Sequence, residues 1–318
     1  MTVAACASST HSPEGFLPGA GGTQLYYQVV GQGPDTVVVV HGGPGAGMHT
    51  ILPNLRPLAE EFTLVFYDQR GGGRSELPDD TTLLDMRYFA EDLEQVRAFF
   101  QIERLRLVAH SFGALVVASY LATYPEHVER AAFIGATGPR RAPAVRAAQA
   151  ATLSSEATMQ AARQAEVLGS LLRGVAEDPV AACREYEALS RALTPPRDPP
   201  SRWDGTSCDA PAEAVRYYYR YTAQLTPRSL GAWDFTTGLE RVRAPLLVMH
   251  GDEDASLLVA QREWAAAVGE GRLLVVPGSG RAPIADRPDR AFPALASFLR
   301  GAWPEGAITV GDHGGLPR

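Results

Sequence analysis

The sequence predicts an α/β fold in which a doubly wound, mostly parallel sheet carries an inserted helical cap. Short apolar segments recur along the chain, and segments with helical periodicity lie between most of them, which predicts the sheet and its covering helices. The alternation stops between residues 138 and 242, where Ala, Arg and Glu are frequent, and resumes afterwards. Because predicted strands lie on both sides of this stretch, we expect an insertion and not a terminal domain.

Each predicted element follows from its local pattern. The segment 24–30 alternates apolar and polar residues, whereas 36–40 is an unbroken β-branched run, typical of a strand buried on both faces of a parallel sheet. Later strands are predicted from short apolar runs, and helices from the periodic segments between them. In chain order, the predicted strands are 24–30, 36–40, 63–67, 105–109, 131–134, 246–249 and 273–276. The predicted helices are 86–100, 112–124, 257–268 and 290–300, and Pro125 is expected to end the second of them.

These elements divide the chain into four parts. Residues 1–20 contain many small residues, glycines and prolines, and are expected to form a loose arm. The α/β core is predicted over 21–137 and 243–303, with the helical cap over 138–242. The cap contains a proline-rich break at 195–200, and residues 304–318 are expected to form a polar tail.

The composition excludes several classes of function. An apolar fraction of 45% with 20% charged residues is typical of a globular protein, and 318 residues suffice for a sizeable core. The net charge of −7 and the lack of a basic cluster argue against nucleic-acid binding. All 29 basic residues are arginines, so a lysine Schiff base or lysine general base is impossible. We expect a small-molecule substrate, and the oligomeric state stays open.

The cysteines bear on compartment and metal binding. Cys6, Cys183 and Cys208 are far apart and show no CxxC spacing, which predicts neither a disulfide nor a zinc site and favours a reducing compartment. No run approaches the ~18 apolar residues that a membrane span requires. We therefore expect a cytoplasmic protein that does not bind membranes, and neither a metal nor a cofactor.

Ser111 is the first candidate catalytic residue. It lies in Ala109-His110-Ser111-Phe112-Gly113, which follows a predicted strand and opens a predicted helix. A strand that runs directly into such a helix makes a sharp turn and exposes the serine hydroxyl, as in a nucleophile elbow. The alternative is an ordinary helix N-cap, a role that suits serine.

Two further turns follow predicted strands. The turn 41–45, with the sequence HGGPG, offers the N–H groups of Gly42 and Gly43, which together with the N–H of Phe112 are candidates for an oxyanion hole. A plain Gly/Pro turn is the alternative. The turn 68–71, with the sequence DQRG, follows the next strand. Together with the serine motif, these turns make the chain resemble the proline iminopeptidase branch of the α/β-hydrolase fold over 23–137 and 243–301.

The resemblance implies a nucleophile, Ser111, and an acidic partner, Asp254, in the chain order serine, acid, histidine. A turn or helix N-cap role is the alternative for Asp254. The third member of the triad departs from the family. Where the family has Gly-His, followed by an acidic residue and a proline, this chain has Gly280-Arg281 and then the sequence DRP at 286–288. A guanidinium stays protonated and cannot accept the serine's proton.

A substitute base would have to come from another histidine. His49, which follows the HGGPG turn, is the least excluded. His110 neighbours Ser111, but adjacent residues on a strand point to opposite sides. We expect a structural or solvent-exposed role for each of the seven histidines, which are His11, His41, His49, His110, His127, His250 and His313.

Arg281 therefore decides the predicted chemistry. We expect it to form a charge-assisted, bidentate pair with Asp254, which would hold that carboxylate ionised and make it a poor base. The oxyanion hole remains, with a cation added near it. This combination suits the stabilisation of an enolate or a polarised carbonyl, in bond formation, cyclisation, rearrangement or elimination, without an acyl-enzyme.

Three hypotheses follow. The first is a non-hydrolytic enzyme of secondary metabolism that acts on a carbonyl-bearing, flat aromatic small molecule. The second is a serine hydrolase, such as a proline iminopeptidase-like aminopeptidase or an esterase, that is slow, uses another base, or carries an introduced histidine-to-arginine exchange. The third is a ligand-binding protein without activity. The candidate substrate-binding residues are the aromatic residues Tyr217, Tyr218, Tyr221, Trp203 and Trp233 of the cap, for which core packing is the alternative.

Overall fold

A computed structural model describes residues 12–141, 155–193 and 201–311, and in these a single sheet of nine strands forms the centre of the molecule. The strands are β1 (Glu14–Pro18), β2 (Gln24–Val30), β3 (Thr36–Val40), β4 (Thr63–Tyr67), β5 (Leu105–His110), β6 (Val128–Ile134), β7 (Leu246–Gly251), β8 (Gly271–Val276) and β9 (Ile308–Thr309). They lie in the order β1-β2-β4-β3-β5-β6-β7-β8-β9. The six strands from β4 to β8 in this order are parallel, and the outer strands pair antiparallel, which confirms the predicted fold class.

Helices cover both faces of the sheet and build the cap. The core helices are α1 (Leu52–Leu55), α2 (Met86–Phe99), α3 (Gly113–Thr123), α8 (Ala255–Ala267), α9 (Pro283–Asp286) and α10 (Pro288–Leu299). Between β6 and β7 lie the cap helices α4 (Ser155–Arg173), α5 (Pro179–Leu193), α6 (Ala212–Tyr217) and α7 (Ala223–Ser229), with a π-helical turn at Tyr218–Thr222 between the last two. The insertion that the sequence predicts is therefore present between strands.

The valine run of β3 explains the two-sided core. Val38 and Val40 pack with α2, α3 and α8 on one face, whereas Val37 and Val39 pack with α1 and α10 on the other. All four side chains are buried. Successive strand residues point to opposite faces, so an uninterrupted apolar run fits only a strand that is covered on both sides. Each buried valine contributes about 1.5–3 kcal/mol.

The predicted loose arm and polar tail are wrong in part. Residues Glu14–Pro18 form an edge strand that pairs antiparallel with β2, and Ile308–Thr309 pair with β8 at the opposite edge. Both segments gain their extended structure from pairing with a partner distant in the chain, which a local pattern does not reveal. The remaining arm and tail residues, 1–11 and 312–318, and the proline-rich break lie outside the described residues.

A disulfide between Cys183 and Cys208 corrects the expectation of unpaired cysteines. The two residues are 25 positions apart, but the cap folds so that α5 and the segment before α6 lie side by side. Both residues are buried in an apolar cluster of the cap with Leu171 and Val215. Because disulfides persist mainly in oxidising compartments, this bond removes the argument from which a cytoplasmic location was predicted.

Among the described residues, no helix combines the length and the apolar character that a membrane-spanning helix requires.

Candidate active site

Ser111 occupies a strained turn between β5 and α3. Its φ of +53° lies in the left-handed region, which non-glycine residues rarely adopt. The backbone N–H of Ser111 donates to the carbonyl of Ile134 at 3.1 Å, which anchors the turn to β6. A Cβ on Gly113 would lie 2.4 Å from the carbonyl oxygen of Val40, so α3 can approach β3 only because this residue is glycine. The backbone thus has the shape of a nucleophile elbow, while the role of Ser111 as a nucleophile stays a prediction.

The HGGPG turn lies directly against this serine. A Cβ on Gly42 would be 2.8 Å from the Cβ of Ser111, so a side chain there would displace the serine. Gly43 has a φ of +54°, a conformation that favours glycine. Phe112 is the N-cap residue of α3. The two glycines and Phe112 therefore lie around Ser111 as the predicted oxyanion hole requires, and their function as donors stays a prediction.

His41 and Gln69 hold the HGGPG turn in place. The Gln69 side chain donates to the carbonyl of His41 at 2.9 Å and accepts from the N–H of Gly45 at 3.2 Å. The backbone N–H of Gln69 donates to Nε2 of His41 at 3.1 Å, and Nδ1 of His41 lies 2.8 Å from the carbonyl oxygen of Gly42. This pattern requires a neutral imidazole with its proton on Nδ1. His41 is therefore a structural residue of the turn.

The neutral state of His41 predicts a loss of stability in acid. Complete burial lowers the pKa of His41 from 6.5 to about 4. Below pH 6.5 the unfolded chain takes up a proton that the folded protein accepts only below about pH 4, so stability falls between these two values. The expected loss is about 3 kcal/mol. Denaturant unfolding across this range checks it: in His41→Gln the free energy of unfolding should depend less steeply on pH, and an unchanged slope would contradict the assignment.

The DQRG turn forms a second layer beneath the glycines. Asp68 is buried and accepts hydrogen bonds from the N–H groups of Met48 at 2.6 Å and Arg74 at 2.7 Å, which ties together the segments on either side of it. The Arg70 side chain is fully buried and forms a bidentate pair with Asp92, with N–O distances of 2.7 and 2.5 Å. Arg70 also donates to the backbone carbonyl of Ala20, just after β1, at 2.7 Å. This layer fixes the position of the turn that faces Ser111.

Arg281 follows β8 and reaches the serine. Its Nη2 donates to the hydroxyl oxygen of Ser111 at 2.7 Å, and its Nε donates to the carbonyl of Gly135 at 3.3 Å. A Cβ on Gly135 would lie 2.1 Å from the carbonyl oxygen of Arg281, so the glycine after β6 makes room for this residue. Gly135 was not predicted as a site residue, although its position directly after an apolar strand is a signal that could have identified it.

The charge of Arg281 persists in this setting. The residue as a whole is solvent-exposed, but the surroundings of its guanidinium partly desolvate it and lower the pKa of Arg281 from its usual value. The nearby charge of Asp254 acts in the opposite direction. Arginine remains protonated at any physiological pH even so. The group that lies against Ser111 is therefore a hydrogen-bond donor and a cation, and not a base.

Asp254 lies just before α8 and pairs with a histidine. Nε2 of His250 is 3.5 Å from Oδ2 of Asp254. His250 is completely buried, which lowers its pKa, and the charge of Arg281 acts in the same direction. Arg281 directs its hydrogen bonds to Ser111 and Gly135, whereas Asp254 influences it as a nearby charge. This differs from the direct bidentate pair that we expected.

No histidine of the described residues occupies the position beside the Ser111 hydroxyl. Of the five histidines in the described part of the chain, none forms a hydrogen bond with the Ser111 hydroxyl. His127 contacts Glu94 and stacks on Tyr124, away from the elbow. His110 does not point away from the site, as we expected, but stacks on Trp203 with ring centroids 4.7 Å apart. Burial lowers the pKa of His110 to about 3, so this imidazole is neutral. His11 and His313 lie outside the described residues.

A cavity of about 500 Å³ opens above Ser111, between the elbow and the cap. The cap contributes Trp203 and a charged pair, Glu187 and Arg191, with an N–O distance of 3.6 Å. Glu187 also accepts a hydrogen bond from the Thr206 hydroxyl at 2.7 Å. Glu187, Arg191 and Thr206 were not predicted as site residues, because helical periodicity does not reveal which polar residues of a cap face the core.

The aromatic residues of the cap divide into two groups. Trp203 lines the cavity, and the Tyr218 ring lies beside Gly43. The other three predicted substrate-binding residues make structural contacts. The Tyr217 hydroxyl donates to the carbonyl of Pro78 at 2.6 Å, Tyr221 packs on Tyr217, and Trp233 packs against the core. Of the five predicted aromatic residues, only Trp203 is among the described residues that line the cavity.

The sequence is similar to a known protein family and to several of its members. A sequence profile of the alpha/beta hydrolase fold family matches residues 35–288. A proline iminopeptidase of Heyndrickxia coagulans is 36% identical over 121 residues, which are 38% of this chain and 42% of that protein. A proline iminopeptidase of Lactobacillus delbrueckii subsp. bulgaricus is 33% identical over 36% of this chain and 41% of its own length. The matches therefore span about two fifths of these curated relatives.

Solved structures agree on the fold. An esterase from Rhodococcus sp. ECU1013 superposes with a TM-score of 0.60 at 23% identity, over 91% of this chain and 99% of that protein. A proline iminopeptidase of Mycobacterium smegmatis superposes with a TM-score of 0.58 at 19% identity, over 90% and 97%. At these identities the likeness concerns the fold alone.

Proposed function

The chain belongs to the α/β-hydrolase fold family, and from this premise we propose that it is an enzyme that binds a carbonyl-bearing small molecule and stabilises its oxyanion or enolate without forming an acyl-enzyme. Reactions of this kind include C–C or C–X bond formation, cyclisation and elimination, such as occur in secondary metabolism. Gly42, Gly43 and Phe112 would hold the oxygen through backbone N–H groups, and Arg281 would supply the positive charge. Ser111 would act as a polar contact and not as a nucleophile.

One observation carries the proposal: the 2.7 Å hydrogen bond from Arg281 Nη2 to the Ser111 hydroxyl oxygen. A nucleophilic serine needs a neighbour that accepts its proton, and the group found in that position can only donate. Removal of the triad histidine of a serine protease costs about 10⁶ in turnover. The same cation, beside converging N–H groups, stabilises negative charge that develops on a substrate oxygen.

The cavity supports a small, flat substrate. Its volume of about 500 Å³ lies within the usual range of small-molecule sites. The stacked rings of His110 and Trp203 offer an apolar wall next to the elbow. Glu187 and Arg191 give the cap side of the cavity polar groups that could orient a substrate. These features favour an aromatic or planar carbonyl compound.

Hydrolysis is the second candidate function, and the relatives favour it. Proline iminopeptidases are among the matched curated proteins, and an esterase is among the structural neighbours. A hydrolase would require a base other than residue 281. His250 and Asp254 supply an imidazole and a carboxylate in contact at 3.5 Å, close enough to Arg281 for its charge to affect the histidine.

A fluorophosphonate probe separates the two candidates, because it reacts with activated serines. We expect the unaltered protein to be labelled no faster than Ser111→Ala. We likewise expect the two proteins to hydrolyse 4-nitrophenyl acetate at the same rate. Rapid labelling that disappears in Ser111→Ala would mean that a base activates Ser111, and the hydrolase would replace the proposed function.

A further inference from the structure

The cap is fixed to the core directly above the HGGPG turn. The π-helical turn Tyr218–Thr222 interrupts the helical segment between α6 and α7. On one side of this turn, the Tyr217 hydroxyl donates to the carbonyl of Pro78 at 2.6 Å. At its other end, Thr222 donates to the carbonyl of Gly71 at 2.8 Å and is buried. Both bonds go to core loops, so the cap residues between them have a defined position over the core.

Tyr218 lies between the residues that form these two hydrogen bonds, and it faces the HGGPG turn. Its hydroxyl oxygen is 3.0 Å from the position that a Cβ on Gly43 would occupy. The Tyr218 phenol can therefore lie this close to the turn only because Gly43 has no side chain. The positive φ of Gly43 and the closeness of Tyr218 both require glycine here, and the cap hydroxyl lies beside the residue whose N–H is a candidate oxyanion donor.

The Tyr218 hydroxyl is protonated and available to donate a hydrogen bond to a ligand. Its neighbour Tyr217 donates to a backbone carbonyl, whereas within the described ranges the Tyr218 hydroxyl has no hydrogen-bond partner. Burial, with smaller contributions from Tyr186 and Glu187, raises the pKa of Tyr218 to about 12. The phenol therefore keeps its proton over the physiological range and can donate it in a hydrogen bond. π-helical turns frequently occur at functional sites.

We propose that the Tyr218 hydroxyl is a further donor of the oxyanion site, which binds the same substrate oxygen as the N–H groups of Gly42, Gly43 and Phe112. This inference rests on the proposed function, because it assigns a donor to the oxygen that the function requires. It also identifies the acceptor: an oxygen that carries negative charge, as in an enolate or phenolate. Tyr218 keeps its proton throughout, and no bond to it forms or breaks.

The binding of 4-nitrophenolate tests this assignment, because its charged oxygen mimics the oxyanion and its ionised form is coloured. 4-Nitroanisole serves as the neutral analogue of similar shape. The variant is Tyr218→Phe, which keeps the ring that packs on Tyr219. The matched control is Tyr186→Phe, which removes the hydroxyl of a neighbouring cap tyrosine whose ring packs on Tyr219. All three proteins are titrated with both compounds above the ionisation range of nitrophenol.

We expect Tyr218→Phe to bind 4-nitrophenolate roughly 10-fold to 100-fold more weakly than the unaltered protein, the loss of one hydrogen bond to a charged acceptor. Binding of 4-nitroanisole should not change, and Tyr186→Phe should behave as the unaltered protein. If Tyr218→Phe still prefers the phenolate as strongly, or if it loses both compounds equally, the inference is overturned while the proposed function stands. If the unaltered protein itself shows no preference for the phenolate, the proposed oxyanion site is refuted.

Discussion

Exchange of Arg281 for histidine is expected to make Ser111 react with a fluorophosphonate about 10³-fold faster or more than in the unaltered protein. An imidazole in this position can accept the serine's proton, which a guanidinium cannot. The elbow and the glycine turn lie beside this position, and Asp254 is close enough for its charge to act on residue 281. Arg281 reaches the serine hydroxyl at 2.7 Å, which demonstrates that the loop after β8 directs this side chain to Ser111. Because arginine is longer than histidine, we expect less than the roughly 10⁶-fold effect of a complete triad.

Two controls identify the cause of this gain. Arg281→Gln removes the cation without supplying a base, and should leave labelling slow. The double variant Arg281→His with Ser111→Ala should not react at all. Time courses of labelling, followed by mass spectrometry of the modified peptide, give the rates and the site. Equal labelling of the glutamine and histidine variants would mean that the guanidinium merely blocks an already activated serine. No gain in the histidine variant would mean that this position is not the third triad position.

Replacement of Arg70 by methionine is expected to lower the free energy of unfolding by about 3–5 kcal/mol. Arg70 and Asp92 are both completely buried, so the variant leaves a carboxylate in the interior without its counter-ion. The backbone carbonyl of Ala20, which accepts from Arg70 at 2.7 Å, also loses its donor. Such a loss is large compared with the usual stability of a domain, about 5–15 kcal/mol.

Urea unfolding measures this effect, and two further variants locate its cause. Arg106→Met removes an arginine that pairs with Asp35 and Glu129 but remains 20% exposed, so we expect at most about 1 kcal/mol. The double replacement Arg70→Met with Asp92→Leu removes both buried charges and should recover much of the loss. If the two arginine variants are equally stable, burial of the pair is not what stabilises the turn.

The sheet could be predicted largely from local patterns, because its central strands are buried on both faces. Four successive valines in the run 36–40 fit only a strand that is buried on both faces, and β3 begins and ends where we expected. The edge strand β1 was missed because Gly15 and Pro18 are typical of loops. A strand at the edge forms through its partner: residues of β1 pair with β2 in register, and this pairing outweighs the weak intrinsic preference.

The core side of the candidate site could likewise be predicted, whereas its cap side could not. Ser111, Gly43 and Arg281 each follow a strand of a parallel sheet, and such positions meet at one edge of the sheet. The side chains of Glu187 and Arg191 enter the cavity from a helix whose placement depends on contacts distant in the chain. The same distant contacts bring Cys183 to Cys208. Cysteine spacing cannot reveal such a pair.

The left-handed backbone of Ser111 has a cost in stability. Only one other non-glycine residue of the described chain, Gln101, has a positive φ. Strain of this kind costs about 1–3 kcal/mol, and it persists only where the surrounding structure imposes it. A protein that merely stored or carried a ligand would gain thermostability from any relaxed turn at this position. That Ser111 remains in this conformation, with Arg281 bonded to its hydroxyl, favours the proposed enzyme over a passive carrier.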